Sequence, residues 1–329
     1  MQHRTIRRSI FLFVFGWLFC GLFVVWFQGI TRHVLPVSVE ITIETGWGVR
    51  RVAQELEERG AIPSSWAFLL LTRFGQGFIQ AGEYRFAAGA TPVAILNQLR
   101  RGEVIRRPLL IPEGFSVADV QEVLQEKGWK QAPIFLKDSK TPALFGLDTN
   151  VLEGFIFPST YFYQRDEPLT KLIGRMVAQS KTVLQAEYLG RAPGVTLTPY
   201  QGLILASIIE KETAVAEERD RISGVFYNRL AKKMRLQTDP TVIYGIEHFN
   251  GNLTRKNLTT LTPYNTYMIE GLPPTPICNP GRAAIHAAFH PLNTQEFYFV
   301  SRGDGHHIFS KTLAEHEHNV DIYQRHRQP

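Results

Sequence analysis

The chain has 329 residues, 44% hydrophobic and 20% charged, a composition of globular domains rather than of disordered chains. Its 36 basic and 30 acidic side chains give a formal charge of +6; Arg4, Arg7 and Arg8 supply half of that excess before any acid occurs, and the scattered remainder is too small for a nucleic-acid footprint. Its two cysteines, Cys20 and Cys278, exclude a disulfide framework and a CxxC zinc pattern, and Cys278 is expected to be buried.

Residues 9–31, SIFLFVFGWLFCGLFVVWFQGIT, carry no charge. As a helix rising about 1.5 Å per residue they extend about 34 Å, enough to cross a hydrocarbon core of about 30 Å. The arginines before them predict a cytosolic N-terminus and place everything after Arg32 on the far side. The other reading is a cleaved signal peptide. Trp26, Phe27 and Gln28 stand where small residues should mark a cleavage site, which favours a single-pass anchor over residues 1–33.

VSVEITIET (37–45) alternates as a strand does. GVRRVAQELEERG follows as a helix, with Val49, Val52, Ala53 and Leu56 at helical spacing and Gly60 as its stop. SSWAFLLLTRF reads as a second helix, GEYRF as a strand, and TPVAILNQLRRG as a helix capped by Thr91 with Pro92 at its first position. Residues 41–60 line up with 109–128, strand, Gly-aromatic turn, helix and terminal Gly in both. That is either a tandem of two small α+β units or the ordinary likeness of strand–turn–helix segments. EPLTKLIGRMVAQSKTVLQ places Leu169, Leu172, Ile173, Met176 and Val177 on one helix face.

Thr198, Pro199 and Gln201 form a helix start, cap, first-turn proline and capping box together. The helix predicted from there passes Thr213 and is apolar over most of its girth. At about 100° per residue Glu210 shares a face with the small residues Ala206, Ser207 and Ala214, and Glu212 points about 200° away from it. Small neighbours leave room for something to approach Glu210. Burial would raise its pKa, as a general acid near neutral pH requires; a solvated helix end is the plainer reading of the same residues.

ASIIEKET is followed in order by VFYNRL (225–230), LQTDPTVIYG (236–245), TPYNTY (262–267), GLPPTPICNPG (271–281) and YFVSRGDGHHIFSKTLAEH (298–316). With LEGFIFPSTY (152–161) and the N-terminal anchor, this ordered set resembles the YceG-like family over about residues 37–320. Thr262 stands where serine is usual, and PPTP around Thr275 where PPGP is usual.

The resemblance implies an α+β protein: the transmembrane anchor, a small LysM-like module at 37–106 and a catalytic domain at 107–329. It implies an inner-membrane enzyme with its catalytic part in the periplasm, cutting the N-acetylmuramic acid to N-acetylglucosamine bond inside peptidoglycan glycan strands. The product ends are 1,6-anhydro, and peptidoglycan synthases are the implied partners. It places the catalytic glutamate at Glu210. No cofactor and no metal are expected. One carboxylate can act as acid and then as base in such a reaction.

Asp239 and Glu153 are the candidate second carboxylates, with a turn or cap role and a loop-anchoring role as their plainer readings. Gln237, Tyr264, Asn265 and Tyr267 are candidate sugar contacts, because amides bind hydroxyl and N-acetyl groups and tyrosine offers an apolar face with a polar tip. DGHH and EHEH raise a zinc site, but their spacing fits no zinc motif and YFVSRGDGHHIFS also reads as a hairpin. Three rival functions stay open: a non-catalytic peptidoglycan-binding scaffold, a metal-dependent hydrolase using the C-terminal histidines, and a hydrolysing muramidase.

Overall fold

The computed structural model describes residues 2–74, 76–165 and 167–325, with the side chains of 2–13, 15 and 16 outside the description. The chain divides into two units, one of residues 1–108 with 162–166 and one of 109–161 with 167–329. Helices and two-stranded sheets make the protein α+β.

The first unit holds α1 (Gln2–Thr31), β1 (Val39–Ile43), α2 (Val49–Glu58), α3 (Ser65–Thr72), β2 (Gly82–Phe86) and α4 (Pro92–Arg101). The expected anchor, 9–31, lies in α1 and falls partly outside the described side chains. Among the described residues no helix is long and apolar enough to cross a membrane. Further along α1, Trp17, Leu18, Phe19, Leu22 and Val25 are exposed.

β1 and β2 pair antiparallel, with Ile41 opposite Tyr84. The alternation in β1 turns Ile41 and Ile43 inward and Glu40 and Thr42 outward. They meet Val52 and Leu56 of α2, Phe68 of α3, Tyr84 and Phe86 of β2, and Ile95 and Leu99 of α4 in one core. Val49, expected on the buried face of α2, is exposed, because it sits in the first turn at the edge of the apolar stripe. Thr91 caps α4 through its side chain and Pro92 opens the helix.

The second unit includes most of β3 (Arg107–Ile111), then α5 (Val117–Glu126), α6 (Ala132–Lys137), α7 (Thr141–Leu144) and most of β4 (Ser159–Tyr163), which pairs with β3. Strand, turn glycine, helix and closing glycine recur here at the spacing of the first unit: 39–43, Gly46, 49–58 and Gly60 match 107–111, Gly114, 117–126 and Gly128. All four glycines have positive φ. Each helix ends in the same closure. Ala61 N–H donates to the Leu56 carbonyl, and Trp129 N–H to that of Leu124, the six-to-one bond that a left-handed glycine permits. The sequence likeness is thus matched by a five-residue strand and a ten-residue helix in each copy, followed by further helices of differing length and a returning strand.

After β4 come α8 (Leu169–Leu189), α9 (Pro199–Glu212), α10 (Arg219–Ala231), α11 (Asp239–Tyr244), α12 (Arg255–Thr259), α13 (Arg282–Phe289), the hairpin β5 (Tyr298–Ser301) and β6 (His307–Ser310), and α14 (Leu313–Val320). The hairpin is antiparallel, with Gly303 and Gly305 in its turn at positive φ. α9 is the centre of this unit: every residue from Gly202 to Ile209 is buried, and α8, α10 and α13 pack around it. The Thr198–Gln201 capping box forms as predicted. The helix is shorter than predicted, ending at Glu212. Thr213 turns extended, and its hydroxyl accepts from the Val215 N–H, a local bond that competes with helix continuation.

Candidate active site

α9 presents its two glutamates to different surroundings. The small face shared by Glu210 is occupied by protein. The Ile277 N–H donates to the Ser207 hydroxyl at 3.0 Å and the Cys278 thiol lies 3.3 Å from the Ser207 carbonyl. The Gly281 N–H donates to Glu210 Oε2 at 2.8 Å, and Arg219 stands 3.9 Å from Oε1. Gly114, in the β3–α5 turn, also packs against the Glu210 side chain, leaving it 7% exposed. Burial raises its pKa, against the Gly281 N–H and Arg219, which lower it; neighbouring Glu113 adds to the rise. Glu210 so joins the 279–281 turn to the end of α9. Cys278 is buried there, as expected.

Glu212, on the opposite side of the last turn, lines a cavity of about 450 Å³. Gln237, Thr238, Asp239, Tyr267, Arg229, Tyr298 and His307 share that wall. Burial raises the Glu212 carboxyl above its ordinary value. The Thr238 hydroxyl works against this and Asp239 with it, while His307 and Arg229 lower it. A buried carboxyl beside a second carboxylate is the arrangement that keeps a proton available near neutral pH.

The cavity wall comes from two stapled loops. Gln237 N–H donates to the Thr266 carbonyl at 3.1 Å, Thr238 N–H to the Thr266 hydroxyl at 3.0 Å, and the Thr241 and Thr266 hydroxyls lie 2.8 Å apart. Tyr267 OH donates to Asp239 Oδ1 at 2.7 Å. Gln237 adopts φ 49°, a left-handed conformation that a non-glycine residue adopts only where its surroundings impose it. Its side chain is exposed.

Three of the candidate sugar and carboxylate residues, Gln237, Asp239 and Tyr267, therefore gather at Glu212. Tyr264 and Asn265 do not line the cavity. Tyr264 packs edge-on against Tyr244 and bonds the Thr275 hydroxyl. Asn265 is fully buried. Its Nδ2 donates to the carbonyls of Asn257, Leu258 and Thr260, and its Oδ1 accepts from Tyr267 N–H. That amide has no group left for a sugar.

Glu153 is buried. It accepts from the Val117 N–H at 3.0 Å and Tyr244 OH at 2.9 Å. Burial pushes it up to about 7 despite those donors. It ties the start of α5 to α11.

The family resemblance places the catalytic glutamate at Glu210, and helical geometry sets Glu212 on the opposite face of α9. That opposite face is the one that meets LQTDPT across the cavity. His306 and His307 both bind Glu218, and His316 stacks on Tyr298. Among the described residues, the group with metal-ligand geometry is Glu187, His286 and His290, where His286 already pairs with Glu187 at 2.9 Å; none of the three lines the cavity.

The chain is similar to known proteins along nearly its whole length. It is 31% identical over 306 residues to an endolytic murein transglycosylase of Bacillus subtilis, covering 87% of this chain and 85% of that one. It is 27% identical to the endolytic murein transglycosylase of Streptococcus pneumoniae, over 89% of this chain but 61% of that longer protein. The crystal structure of a YceG-like protein from Listeria monocytogenes superposes with a TM-score of 0.58 at 28% identity, covering 85% of this chain and 98% of that one. The YceG-like family profile matches residues 41–322, and the chain belongs to that family.

Proposed function

We propose that the protein is an endolytic lytic transglycosylase of peptidoglycan, cutting within glycan strands and leaving 1,6-anhydromuramic ends. The named activity of its relatives supports this reading. The observation that carries it in this molecule is the convergence of Gln237, Asp239 and Tyr267 on the buried carboxyl of Glu212. Glu212 is the acid: it protonates the bridging oxygen as an oxocarbenium-like sugar develops. The C6 hydroxyl then gives up its proton and closes the anhydro ring, without water. Gln237 and the Asp239–Tyr267 pair hold hydroxyl and N-acetyl groups.

The alternative is Glu210, where the family resemblance places the catalytic glutamate and where burial also raises the pKa. It places the acid under the 279–281 turn rather than in the cavity.

The remaining parts of the reading are topological. Residues 9–31 anchor the chain in the inner membrane, cytosolic N-terminus first, with the catalytic part in the periplasm. The uncharged run after three arginines and the exposed apolar side chains of α1 support this. The first unit serves as a LysM-like glycan-binding module; its strand–helix–helix–strand order supports that role. An anchor keeps the site near emerging strands and their synthases.

The test is the full chain on isolated peptidoglycan, with mass spectrometry of released ends. Wild type is expected to release anhydro ends from within strands, Glu212→Gln none, and Glu210→Gln most of the wild-type amount. Loss of product in Glu210→Gln alone, with both variants folded, transfers the acid to Glu210. Reducing ends from wild type would mark a hydrolase instead.

A further inference from the structure

A second proton-handling group faces the same cavity. The 3-10 turn 216–218 follows α9 and carries Glu218, while β6 begins at His307. Glu218 Oε2 lies 2.7 Å from His307 Nδ1, and Glu218 Oε1 accepts the His307 backbone N–H at 3.1 Å. The imidazole is held edge-on against Phe299 at 5.4 Å and Phe309 at 6.4 Å, leaving the side chain 11% exposed. Ring orientation is thus set on three sides.

The tautomer follows from the same contacts. Glu218 is an ionised acceptor: burial opposes its charge, but the hydrogen bonds from His307 and His306 outweigh that and hold it below its ordinary value. The proton of neutral His307 therefore sits on Nδ1, and Nε2 carries the lone pair. Nε2 makes no hydrogen bond among the described residues, and His307 lines the cavity with Glu212. A carboxylate-oriented imidazole in the wall of a cavity that also holds an acid is the arrangement of a general base.

We propose that His307, oriented by Glu218, is the base that takes the C6 hydroxyl proton while Glu212 serves as the acid. This rests on the reading of Glu212 given above. The balance is complete within the site. Glu212 gives its proton to the departing glycosidic oxygen and the C1–O bond breaks. The C6 oxygen bonds to C1 as its proton passes to His307 Nε2. The imidazolium then loses that proton and Glu212 regains one, through solvent, so no net proton and no water is consumed. Glu218 stabilises the imidazolium without taking its proton, and is a positioning residue. Among the described residues, the charged and titratable groups around His307 include Glu218, His306 and Arg221 and, along the cavity, Glu212, Arg229, Asp239, Tyr267, Tyr298 and His316.

The test measures anhydro-end release by the full chain against pH, for His307→Gln, His307→Ala with and without added imidazole, and Glu218→Gln. Positioned general bases contribute about 100-fold or more. His307→Gln should lose about that much in kcat with the melting temperature kept, and its profile should lose the limb on the acid side. Imidazole should restore part of the His307→Ala rate. Glu218→Gln should lower kcat less and displace the same limb. A His307→Gln variant at the wild-type rate overturns the proposal, as does a crippled His307→Ala variant that ignores imidazole and keeps the wild-type pH profile. Glu212→Gln reports on the acid alone, so the two readings fail separately.

Discussion

Glu210 and Glu212 stand two residues apart on α9, their side chains about 200° apart around its axis. One carboxylate receives the backbone N–H of Gly281 and the other lines a polar cavity. Both are raised by burial, so protonation preference does not distinguish them. Their surroundings do: the Glu210 face meets Ile277, Cys278 and Gly281, and Glu212 lines a cavity with Gln237, Asp239 and Tyr267.

The acid role of Glu212 has a pH consequence. A raised pKa keeps the acid form present to higher pH, so cleavage should fall on the alkaline side as Glu212 ionises. Asp239 contributes to that rise. Asp239→Asn removes the neighbouring anion, lowers the Glu212 pKa and should move the alkaline limb of kcat to lower pH. An unmoved limb would show that another group sets it.

Asn265 and Gln237 look alike in sequence as amide donors for sugars, and the structure separates them. Asn265→Ala should lower stability by about 1–3 kcal/mol, because it strips the donor from three part-buried carbonyls and the acceptor from the Tyr267 N–H, and should leave KM near wild type if the fold holds. Gln237→Gly should stay within about 1 kcal/mol of wild-type stability, since glycine accepts its left-handed backbone, yet should raise KM through loss of the amide. Urea melts and saturation kinetics on the two variants read both effects.

What could be read from sequence was local. The capping box at Thr198, the Thr91–Pro92 helix start, the hairpin glycines and the apolar face of α8 each depend on a few neighbouring residues, and each appears where periodicity placed it. The tertiary contacts were not legible. Nothing near Glu210 in sequence announces Gly281, 71 residues on, and TPYNTY does not announce that the carbonyls of Asn257, Leu258 and Thr260 meet the Asn265 amide. The length of α9 also depended on a competing bond at Thr213. The cavity was legible only as a set of residues, not as the face of α9 on which they converge.

The helix that carries both glutamates is positioned by a close approach at Gly202. A Cβ there would lie 2.1 Å from Phe289 Cζ, so α13 meets the backbone of α9 without a side chain between them. Gly202→Ala should force the helices apart and cost about 1–3 kcal/mol. The expected result is a lower melting temperature and a fall in kcat larger than in other alanine variants of equal stability. A variant with unchanged melting temperature would mean that Phe289 can rotate away freely.

Glu153 links pH to the stability of the second unit. Its pKa is near 7 in the folded chain against an ordinary value of 4.5. Folding therefore favours the protonated form. The stability this lends is complete below about pH 4.5 and is lost as pH rises through 7, a difference of about 3 kcal/mol. Glutamine keeps an oxygen for the Val117 N–H but cannot ionise. Glu153→Gln should therefore match wild type closely at pH 5 and exceed it at pH 8, by up to about 3 kcal/mol in urea denaturation. Parallel stability profiles for the two proteins across that range would mean that Glu153 does not titrate there, and that its carboxylate is fully stabilised by Val117 and Tyr244.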